Sequence, residues 1–315
     1  MNGILNIYKE QGYTSHDVVA ILRRILKTKR IGHTGTLDPN AEGVLPICIG
    51  QATKISELLM EKQKTYVAAL CLGKSTDTQD IWGKVVSQSE VLVSPAEVQT
   101  AILSFQGQIM QIPPMYSAIK QDGKKLYELA RQGKEVQRQP RPATIYAISD
   151  LEQIGKAEYR FSVTCSKGTY IRTLCHDIGQ KLGCGAHMTA LQRTRSGKFG
   201  LETALKLAEV EKLKADGKLA EHLLPITEVF DIPELTVKDS FSKWLYAGNP
   251  IPLEQIQAGD LSKIVQLTEI SRMDRQLPTH DLYYIYDSHG RFIGIYRYIN
   301  HMLKVLKFLY QASEE

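Results

Sequence analysis

The sequence predicts an α+β protein whose C-terminal part forms a small, separate β-rich domain. Three observations lead to this prediction: helical and strand patterns interleave up to about residue 230, a base-rich segment interrupts them, and turn-rich strand patterns follow. Of the 315 residues, 43% are hydrophobic and 23% are charged, which is enough for one large and one small core. This composition excludes disordered and fibrous proteins.

The first two helices are predicted from their periodicity and their starting residues. Apolar residues recur every three to four positions over residues 14–29, and Thr14 or Ser15 stands where a capping side chain is needed. A second helix is predicted to begin after Ser94, because a proline follows at the first helical position and Glu97 completes a capping box.

Strands and further helices are predicted around these two helices. Residues 66–72 form a short apolar run typical of a buried strand, and residues 159–165 alternate between apolar and polar side chains. Residues 171–182 return to the helical period, and Gly183 follows them as a left-handed cap. A further helical stretch is expected over residues 203–224.

Two segments differ in composition from this framework. Residues 113–142 begin and end with prolines, are rich in bases and carry only a short helical pattern, so we expect them to form an inserted arm. Further along, residues 282–286 and 292–298 flank a turn and predict a β-hairpin. We therefore predict one domain over residues 1–230 and a second over residues 231–315.

The sequence indicates a cytoplasmic protein with no contact to a membrane. No apolar run reaches the roughly 18 to 20 residues that a bilayer requires, and the first residues lack the layout of a signal peptide. The five cysteines are widely spaced and contain no C-x-x-C pair, which indicates reduced thiols rather than a disulfide framework or a zinc knuckle.

Positive charge is concentrated in two places, although the net charge is only +5. Five bases and no acid lie between Asp17 and Asp38, and seven bases face three acids between Tyr116 and Pro142. Two such islands suit the phosphate backbone of a nucleic acid, but a pair of solvated helix faces would have the same composition.

Several familiar chemistries are disfavoured by missing residues. Gly73 begins a G-K-S sequence that resembles the end of a phosphate-binding loop, but the glycine required five positions earlier is Ala68. There is no H-x-E motif with a following P-C-x-x-C, as a zinc deaminase needs, and no G-x-S-x-G elbow for an acyl-transfer serine. We therefore expect neither a metal site nor a nucleotide triphosphatase.

Residues 32–46 form the strongest candidate for a catalytic loop. Three glycines and two prolines favour an irregular backbone, and Asp38 is held extended by the proline that follows it, so the loop can orient one carboxylate. On spacing alone, an ordinary Asp-Pro turn and a structural role for His33 would be the favoured interpretation.

The whole loop, GHTGTLDPNAEGVLP, resembles the catalytic signature of the TruB family, the tRNA pseudouridine-55 synthases. Further segments resemble the family's other motifs in the same order, at residues 64–83, 113–133, 165–172 and 191–197. Together these similarities cover roughly residues 2–230. Beyond them, residues 245–251 and 290–295 resemble parts of a PUA-type β-barrel.

The resemblance implies a pseudouridine synthase fold, which is a mixed, largely antiparallel sheet flanked by helices. The arm at residues 113–142 would be an RNA-gripping thumb insertion, and residues 231–315 a PUA-like RNA-binding domain. Guide-RNA relatives lack the thumb, so its presence implies the stand-alone bacterial type.

The resemblance also implies a reaction, in which uridine 55 in the T arm of tRNA becomes pseudouridine without a cofactor or a metal. The bond between N1 and C1′ breaks, the base turns, and C5 is joined to C1′. Matching positions make Asp38 the nucleophile and Arg172 its paired cation. Tyr66 would stack on the flipped base and Leu191 would form a hydrophobic wall. Tyr170 would belong to the wall or the core, and Tyr66 without its motif would be a core aromatic.

The resemblance and the basic islands together give a set of expected RNA contacts. His33 matches a residue that holds the rearranged RNA loop open. The other expected contacts are Lys54, Lys64, Lys120, Lys124, Lys125, Arg131 and Arg141. The expected partner is tRNA, bound by a monomer that requires no other protein. Two alternatives remain open: a non-catalytic tRNA-binding or chaperone module of the same fold, and a guide-RNA-dependent synthase.

Overall fold

The structure, a computed structural model, describes residues 1–121, 123–263 and 281–310, apart from the side chains of Lys120 and Lys125. The chain forms two compact units. The larger unit consists of Leu5–Ile47 and Ser56–His222, and the smaller unit consists of Met1–Ile4, Cys48–Ile55 and Leu223–Glu315. The division at residue 230 stays a prediction. Among the described residues, no helix is long and apolar enough to span a bilayer.

The described residues contain seven α-helices and several single 3₁₀ turns. The helices are α1 (Ser15–Leu26), α2 (Ser56–Met60), α3 (Pro95–Leu103), α4 (Leu126–Arg131), α5 (Ile171–Lys181), α6 (Leu207–Ala215) and α7 (Ser242–Leu245). The predicted capping boxes are confirmed: Thr14 pairs with Asp17 at the start of α1, and Ser94 pairs with Glu97 at the start of α3.

The expected helical stretch over residues 203–224 is wrong in extent. Only α6 is α-helical there, because Gly217 takes a left-handed backbone with φ 73° directly after the end of this helix. Single 3₁₀ turns at Leu201–Thr203 and Leu219–His222 occupy the rest of the segment together with a two-residue strand.

Nineteen strands are present in the described part of the chain. In the first half they are β1 (Gly3–Lys9), β2 (Ile31–His33), β3 (Glu42–Ile49), β4 (Lys64–Leu72), β5 (Lys74–Thr76), β6 (Val85–Gln88), β7 (Gly107–Gln111), β8 (Lys120–Gln121), β9 (Lys124–Lys125) and β10 (Arg141–Gln153). In the second half they are β11 (Glu158–Cys165), β12 (Ala186–Ser196), β13 (Phe199–Gly200), β14 (Leu223–Leu224), β15 (Glu234–Thr236), β16 (Ile251–Pro252), β17 (Leu282–Tyr286), β18 (Phe292–Ile299) and β19 (Met302–Phe308).

The central sheet is mixed and largely antiparallel, as predicted. Its strands lie in the order β1-β3-β12-β4-β11-β10-β7, with β4 antiparallel to both β11 and β12 and with β3 parallel to β12. Two helices cover one face: Val98 and Ile102 of α3 and Leu174 and Ile178 of α5 share a buried core with Leu70 of β4. This core fixes α5, which carries Arg172, against the strands that carry Tyr66 and Leu191.

Residues 112–140 form an excursion between two neighbouring strands. Gln111 of β7 lies opposite Arg141 of β10 in an antiparallel pair, so the chain leaves the sheet and returns to the same point. The excursion contains the β8/β9 hairpin and α4, whose Leu126 is buried.

The smaller unit contains a five-stranded sheet in the order β15-β17-β18-β19-β16. The predicted hairpin is confirmed as β17 and β18, and the buried Asp287 closes its turn by accepting backbone N–H bonds from His289 and Arg291. Where a PUA-like barrel is expected, the described residues form a curled sheet. Its edge strands are β15 and β16. A single bridge between Val237 and Ile256 links the segments that follow these two edge strands.

Candidate active site

Asp38 lies in the irregular loop between β2 and β3. Several backbone hydrogen bonds give this loop one conformation: Ala41 donates to the carbonyl of Asp38 at 3.1 Å, Gly12 donates to Pro39 at 2.9 Å, and Thr34 donates to Pro46 at 3.1 Å. These hydrogen bonds give the loop a defined conformation, and they thereby give the Asp38 side chain a defined position.

Arg172, the second residue of α5, forms a two-point ion pair with Asp38. Its Nε lies 2.8 Å from Oδ2 and its Nη2 donates to Oδ1 at 3.2 Å. The Arg172 side chain is only 6% exposed, whereas 38% of the Asp38 side chain is accessible. The cation thus lies behind the carboxylate, and the carboxylate remains open to an incoming group.

The other donors of Arg172 bind two loops that come from different parts of the chain. Nη2 donates to the carbonyl of Tyr116 at 2.8 Å and Nη1 to the carbonyl of Thr78 at 3.2 Å. Asp80 Oδ2 lies 3.9 Å from Nη1. The guanidinium group therefore connects the Asp38 loop, the β5–β6 turn and the start of the excursion between β7 and β10.

Sequence reasoning missed Lys9, which holds the residue after Asp38. Its side chain is fully buried, and its Nζ donates to the carbonyls of Tyr13 at 2.7 Å, Pro39 at 3.0 Å and Glu10 at 3.1 Å. Burial lowers the pKa of Lys9 to about 8. Nothing in the pattern around Lys9 distinguishes it from a surface lysine.

Sequence reasoning also missed Arg193 of β12, although it lies in a segment that resembles the family. The side chain is buried, with Nε donating to the carbonyl of Val44 at 2.7 Å and Nη2 to the carbonyl of Gly35 at 3.2 Å. Gly43 has φ 105°, and a Cβ there would lie 2.2 Å from the Arg193 carbonyl oxygen. Only glycine permits the loop to approach β12 this closely.

Tyr66 and Leu191 lie on adjacent strands beside this loop. Tyr66 of β4 pairs with Arg193 of β12. Burial raises the pKa of the Tyr66 hydroxyl, and the positive charge of Arg193 partly opposes this shift. Leu191 is buried in the core that Tyr66 packs against, together with Leu37.

Tyr170 is half-buried and precedes the first residue of α5. Its backbone N–H donates to Oε1 of Gln111 at 3.0 Å, and its carbonyl accepts a bond from Nε2 of the same side chain at 3.2 Å. These two hydrogen bonds to Gln111 of β7 fix the start of α5 and hence the backbone position of Arg172.

Opposing effects act on the ionisation of Asp38. Removal of water by the surrounding protein raises the pKa of Asp38, the neighbouring Asp80 raises it further, and Arg172 and Lys9 lower it. Arg172 is therefore the main group that opposes the upward shift in the pKa of Asp38.

The expected RNA contacts differ in how the structure presents them. Lys124, Arg131 and Arg141 are exposed, and the Arg131 guanidinium lies 5.4 Å from the centre of the Tyr127 ring. The side chains of Lys120 and Lys125 lie outside the described residues. Lys54, in the smaller unit, is exposed and donates to the carbonyl of Phe308 at 3.0 Å.

Two of the expected contacts are buried or partly buried. Lys64 is buried, and its ammonium group donates to the carbonyls of Met60 and Lys62 after α2, so its position is structural and we leave it out of the RNA-contact set. The His33 ring lies 5.5 Å from the His16 ring, and its Nδ1 accepts a bond from the N–H of Gly35 at 3.4 Å. Burial lowers the pKa of His33 to about 4, so the ring is neutral at physiological pH.

Comparison with known families gives two adjoining matches. Residues 23–171 match the family described as "TruB family pseudouridylate synthase (N terminal domain)". Residues 172–231 match the family described as "tRNA pseudouridylate synthase B C-terminal domain". The Asp38 loop and the Tyr66 strand fall in the first match, and Arg172 begins the second.

Curated relatives extend the similarity over most of the chain. A protein named tRNA pseudouridine synthase B from Alkaliphilus oremlandii is 54% identical over 252 residues, which are 80% of this chain and 83% of the relative. A protein of the same name from Clostridium acetobutylicum is 42% identical over 310 residues, covering 98% of this chain and 100% of the relative.

Solved structures with a similar fold include chains from an H/ACA RNP and from a Cbf5 complex. One chain from an H/ACA RNP bound to a substrate RNA containing 2'-deoxyuridine is 25% identical, with a TM-score of 0.70 and coverage of 99% of this chain and 86% of that chain. A chain from a Cbf5-Nop10-Gar1 complex is 27% identical, with a TM-score of 0.70 and coverage of 98% and 85%.

Proposed function

The chain belongs to the TruB family of pseudouridine synthases, and from this premise we propose that it converts uridine 55 in the T arm of tRNA to pseudouridine, with Asp38 as the nucleophile. Relatives named tRNA pseudouridine synthase B at 42–54% identity support action on tRNA. The observation that carries the assignment of Asp38 is its two-point ion pair with the almost fully buried Arg172, which leaves the carboxylate itself accessible.

The reaction is an isomerisation, so its atoms balance without a co-reactant. The N1–C1′ bond of the uridine breaks while Asp38 takes part as nucleophile, the base turns, and a C5–C1′ bond forms. C5 then loses its proton and N1 gains one, and the carboxylate is released in its starting form. A carboxylate can perform this step only when it is ionised and close to the reacting atoms.

Arg172 supports this role by stabilising the anionic form of Asp38. A carboxylate shielded from water would otherwise bind a proton and lose its nucleophilicity. The guanidinium group is itself held by the carbonyls of Tyr116 and Thr78, so it has little freedom to leave Asp38 for a phosphate group of the RNA.

The pocket for the extruded base is formed by Tyr66 and Leu191 in this proposal. A uridine inside an RNA loop must leave its stack before a side chain can reach C1′. The Tyr66 ring supplies a planar surface on the edge of the core that contains Leu191.

RNA binding is assigned to exposed lysine and arginine side chains, which recognise the phosphates and the shape of the T arm. Lys124, Arg131 and Arg141 are exposed in or next to the excursion between β7 and β10, where they can meet phosphates. His33, neutral and partly buried, would contact the RNA loop through its ring. We include in the proposal that the protein acts as a monomer in the cytoplasm, with tRNA as its partner.

Two alternative functions are less well supported. A non-catalytic RNA-binding module would not need the Asp38–Arg172 pair. A guide-RNA-dependent synthase would act together with protein partners, and the similar chain in the Cbf5-Nop10-Gar1 complex is bound to such partners. The excursion at residues 112–140 lies where the resemblance implies the thumb of stand-alone members, and this position supports independent action.

A direct assay distinguishes these functions. The purified protein is incubated with an unmodified T-arm stem-loop RNA, without guide RNA, nucleotide or added metal, and pseudouridine is mapped by position. We expect product at the target uridine at substoichiometric enzyme, and no product in a matched RNA carrying cytidine at that position. Binding without product would favour the non-catalytic module, and product only with a guide RNA would favour the guided synthase.

A further inference from the structure

The turn between β5 and β6 carries an exposed tryptophan next to the candidate active site. Trp82 is 47% exposed, and its neighbour Ile81 is 51% exposed. Large exposed apolar side chains mark interaction sites more often than chance when they lie together. Within the described part of the chain no hydrogen bond engages the Trp82 indole N–H, and about half of the side chain is open to a partner.

The backbone beneath Trp82 belongs to the same network as Asp38. The N–H of Trp82 donates to Oδ1 of Asp80 at 3.1 Å, and Oδ2 of Asp80 lies 3.9 Å from Nη1 of Arg172. Arg172 in turn contacts both carboxylate oxygens of Asp38. Two side chains therefore separate the Trp82 backbone from the proposed nucleophile.

The turn is rigid, so the indole ring projects from a fixed point. Ile81 donates to the carbonyl of Met188 at 2.9 Å, and Met188 donates to the carbonyl of Gln79 at 3.0 Å, which joins the turn to β12. Inside the turn, the Thr78 hydroxyl donates to Oδ1 of Asp80 at 2.6 Å. A Cβ on Gly83 would lie 2.2 Å from that hydroxyl oxygen, so the chain after Trp82 packs closely against Thr78.

The chemistry around Trp82 suits single-stranded RNA better than a protein partner. Lys84, two residues further along the same turn, is also exposed and adds a positive charge to this part of the surface. The acids of the turn are engaged locally: Asp77 accepts a bond from the N–H of Lys84 at 2.8 Å, and Asp80 is buried against Arg172. An aromatic surface paired with a cation is the combination that binds a base and its phosphate.

We propose that Trp82 stacks on the base of a nucleotide that flanks the target uridine, and thereby positions the RNA loop when the uridine is extruded. The inference rests on the proposed function, because it requires an RNA loop at Asp38. Extrusion removes a base from its stack and leaves its neighbours exposed, and a rigid indole ring can cover one of them. Trp82 acts here as a positioning residue that does not touch the reacting atoms.

The chain contains two tryptophans, which makes the contact measurable. The variant Trp244→Phe of the full-length protein has Trp82 as its sole tryptophan. Trp244 belongs to the smaller unit, whereas Trp82 belongs to the larger unit. Titration with unmodified T-arm RNA is expected to quench the Trp82 fluorescence in a saturable manner with the same midpoint as RNA binding. Binding without any change in the emission of Trp82 would overturn the proposal.

Substitutions then separate stacking from a structural role. Trp82→Ala and Trp82→Leu are both expected to weaken T-arm binding by about 5- to 150-fold, and Trp82→Phe to restore most of it, because stacking requires an aromatic ring. Val86→Ala, at a 64% exposed position of the same hairpin, serves as the matched control and is expected to bind as the wild type does.

Three results would contradict the proposal: wild-type RNA affinity in Trp82→Ala, binding by Trp82→Leu as tight as by Trp82→Phe, and a loss of affinity in Val86→Ala as large as in Trp82→Ala. Rescue by leucine would assign Trp82 to packing, and an equal effect of Val86→Ala would assign the loss of RNA affinity to the structure of the hairpin and not to stacking on Trp82. If the unchanged protein forms no pseudouridine in T-arm RNA, the proposed function itself fails, which the wild-type assay reveals separately.

Discussion

The guanidinium group of Arg172 contacts both carboxylate oxygens of Asp38, at 2.8 Å and 3.2 Å, from the buried side of the site. This relationship gives the two residues different functions. Arg172 is fixed and shielded, whereas Asp38 is paired and still accessible. An ion pair that served stability alone would gain little from leaving one partner open, since exposed pairs contribute only about 0 to 1 kcal/mol.

Replacing Arg172 by lysine is predicted to change the pH dependence of the reaction. The buried environment raises the pKa of Asp38 and Arg172 lowers it, so a weaker, single-point cation lets the pKa rise further. The acidic limb of the rate profile should therefore move to higher pH. The measurement is the single-turnover rate at saturating T-arm RNA between pH 5 and pH 8.

Arg172→Met is the companion variant and should show a larger shift or no measurable rate. RNA affinity measured at the same pH values controls for loss of binding. A fall in affinity with an unchanged rate profile would mean that Arg172 contacts phosphate and does not act on Asp38.

His33 is predicted to make the protein less stable in mild acid. Its pKa is about 4 in the folded protein, below the ordinary value of 6.5, so between these values only the unfolded chain takes up the proton. Stability is therefore complete above about pH 6.5 and falls as the pH decreases towards 4. At pH 5 the loss from this one group is about 2 kcal/mol.

Urea unfolding at pH 7.5 and pH 5 checks this prediction against the variant His33→Gln, which has no titrating ring. The wild type should lose more stability between the two pH values than the variant does. Equal losses would show that the His33 ring is not held in its neutral form.

Arg193 is predicted to be essential for the stability of the Asp38 loop. Arg193→Met leaves the buried carbonyls of Val44 and Gly35 without their donor, which should lower the free energy of unfolding by about 2 to 5 kcal/mol. Arg195→Met, at an exposed position of the same strand, is the matched control and should cost less than about 0.5 kcal/mol. Similar urea midpoints for the two variants would refute the role of Arg193.

Exposed lysine and arginine side chains near the thumb are predicted to bind RNA phosphates. Lys124→Ala with Arg141→Ala removes up to two such contacts and should reduce the slope of log affinity against log salt by ~0.7 to 0.9 per contact. Lys156→Ala is the control, because it lies at the turn beyond the opposite end of β10. The measurement is the affinity for T-arm RNA at several salt concentrations. An unchanged slope in the double variant would show that these two side chains are solvated and do not contact phosphates.

Local features of the fold could be predicted because they depend on neighbouring residues. The capping boxes at Thr14 and Ser94, the strand that carries Tyr66, and the β17/β18 hairpin all follow from patterns within a dozen residues. Asp38 and Arg172 were identified through the resemblance to a family, which pairs positions that periodicity cannot connect.

The supporting residues of the site could not be predicted, because their contacts span the chain. Lys9 binds a carbonyl 30 positions away, and Arg193 binds one 149 positions away. Each is a common basic residue whose role exists only once the strands are assembled. Lys64 illustrates the reverse case, since a lysine that suits RNA binding in sequence caps the end of α2 in the structure.

The most direct test of the account is the single-turnover rate of pseudouridine formation by Asp38→Asn at saturating T-arm RNA. The amide nearly matches the carboxylate in shape but is a poor nucleophile, so RNA affinity should stay within about threefold of wild type while the rate falls by at least about a thousandfold, or roughly 4 kcal/mol in the barrier. A rate within tenfold of wild type would contradict the assignment of Asp38 as the nucleophile.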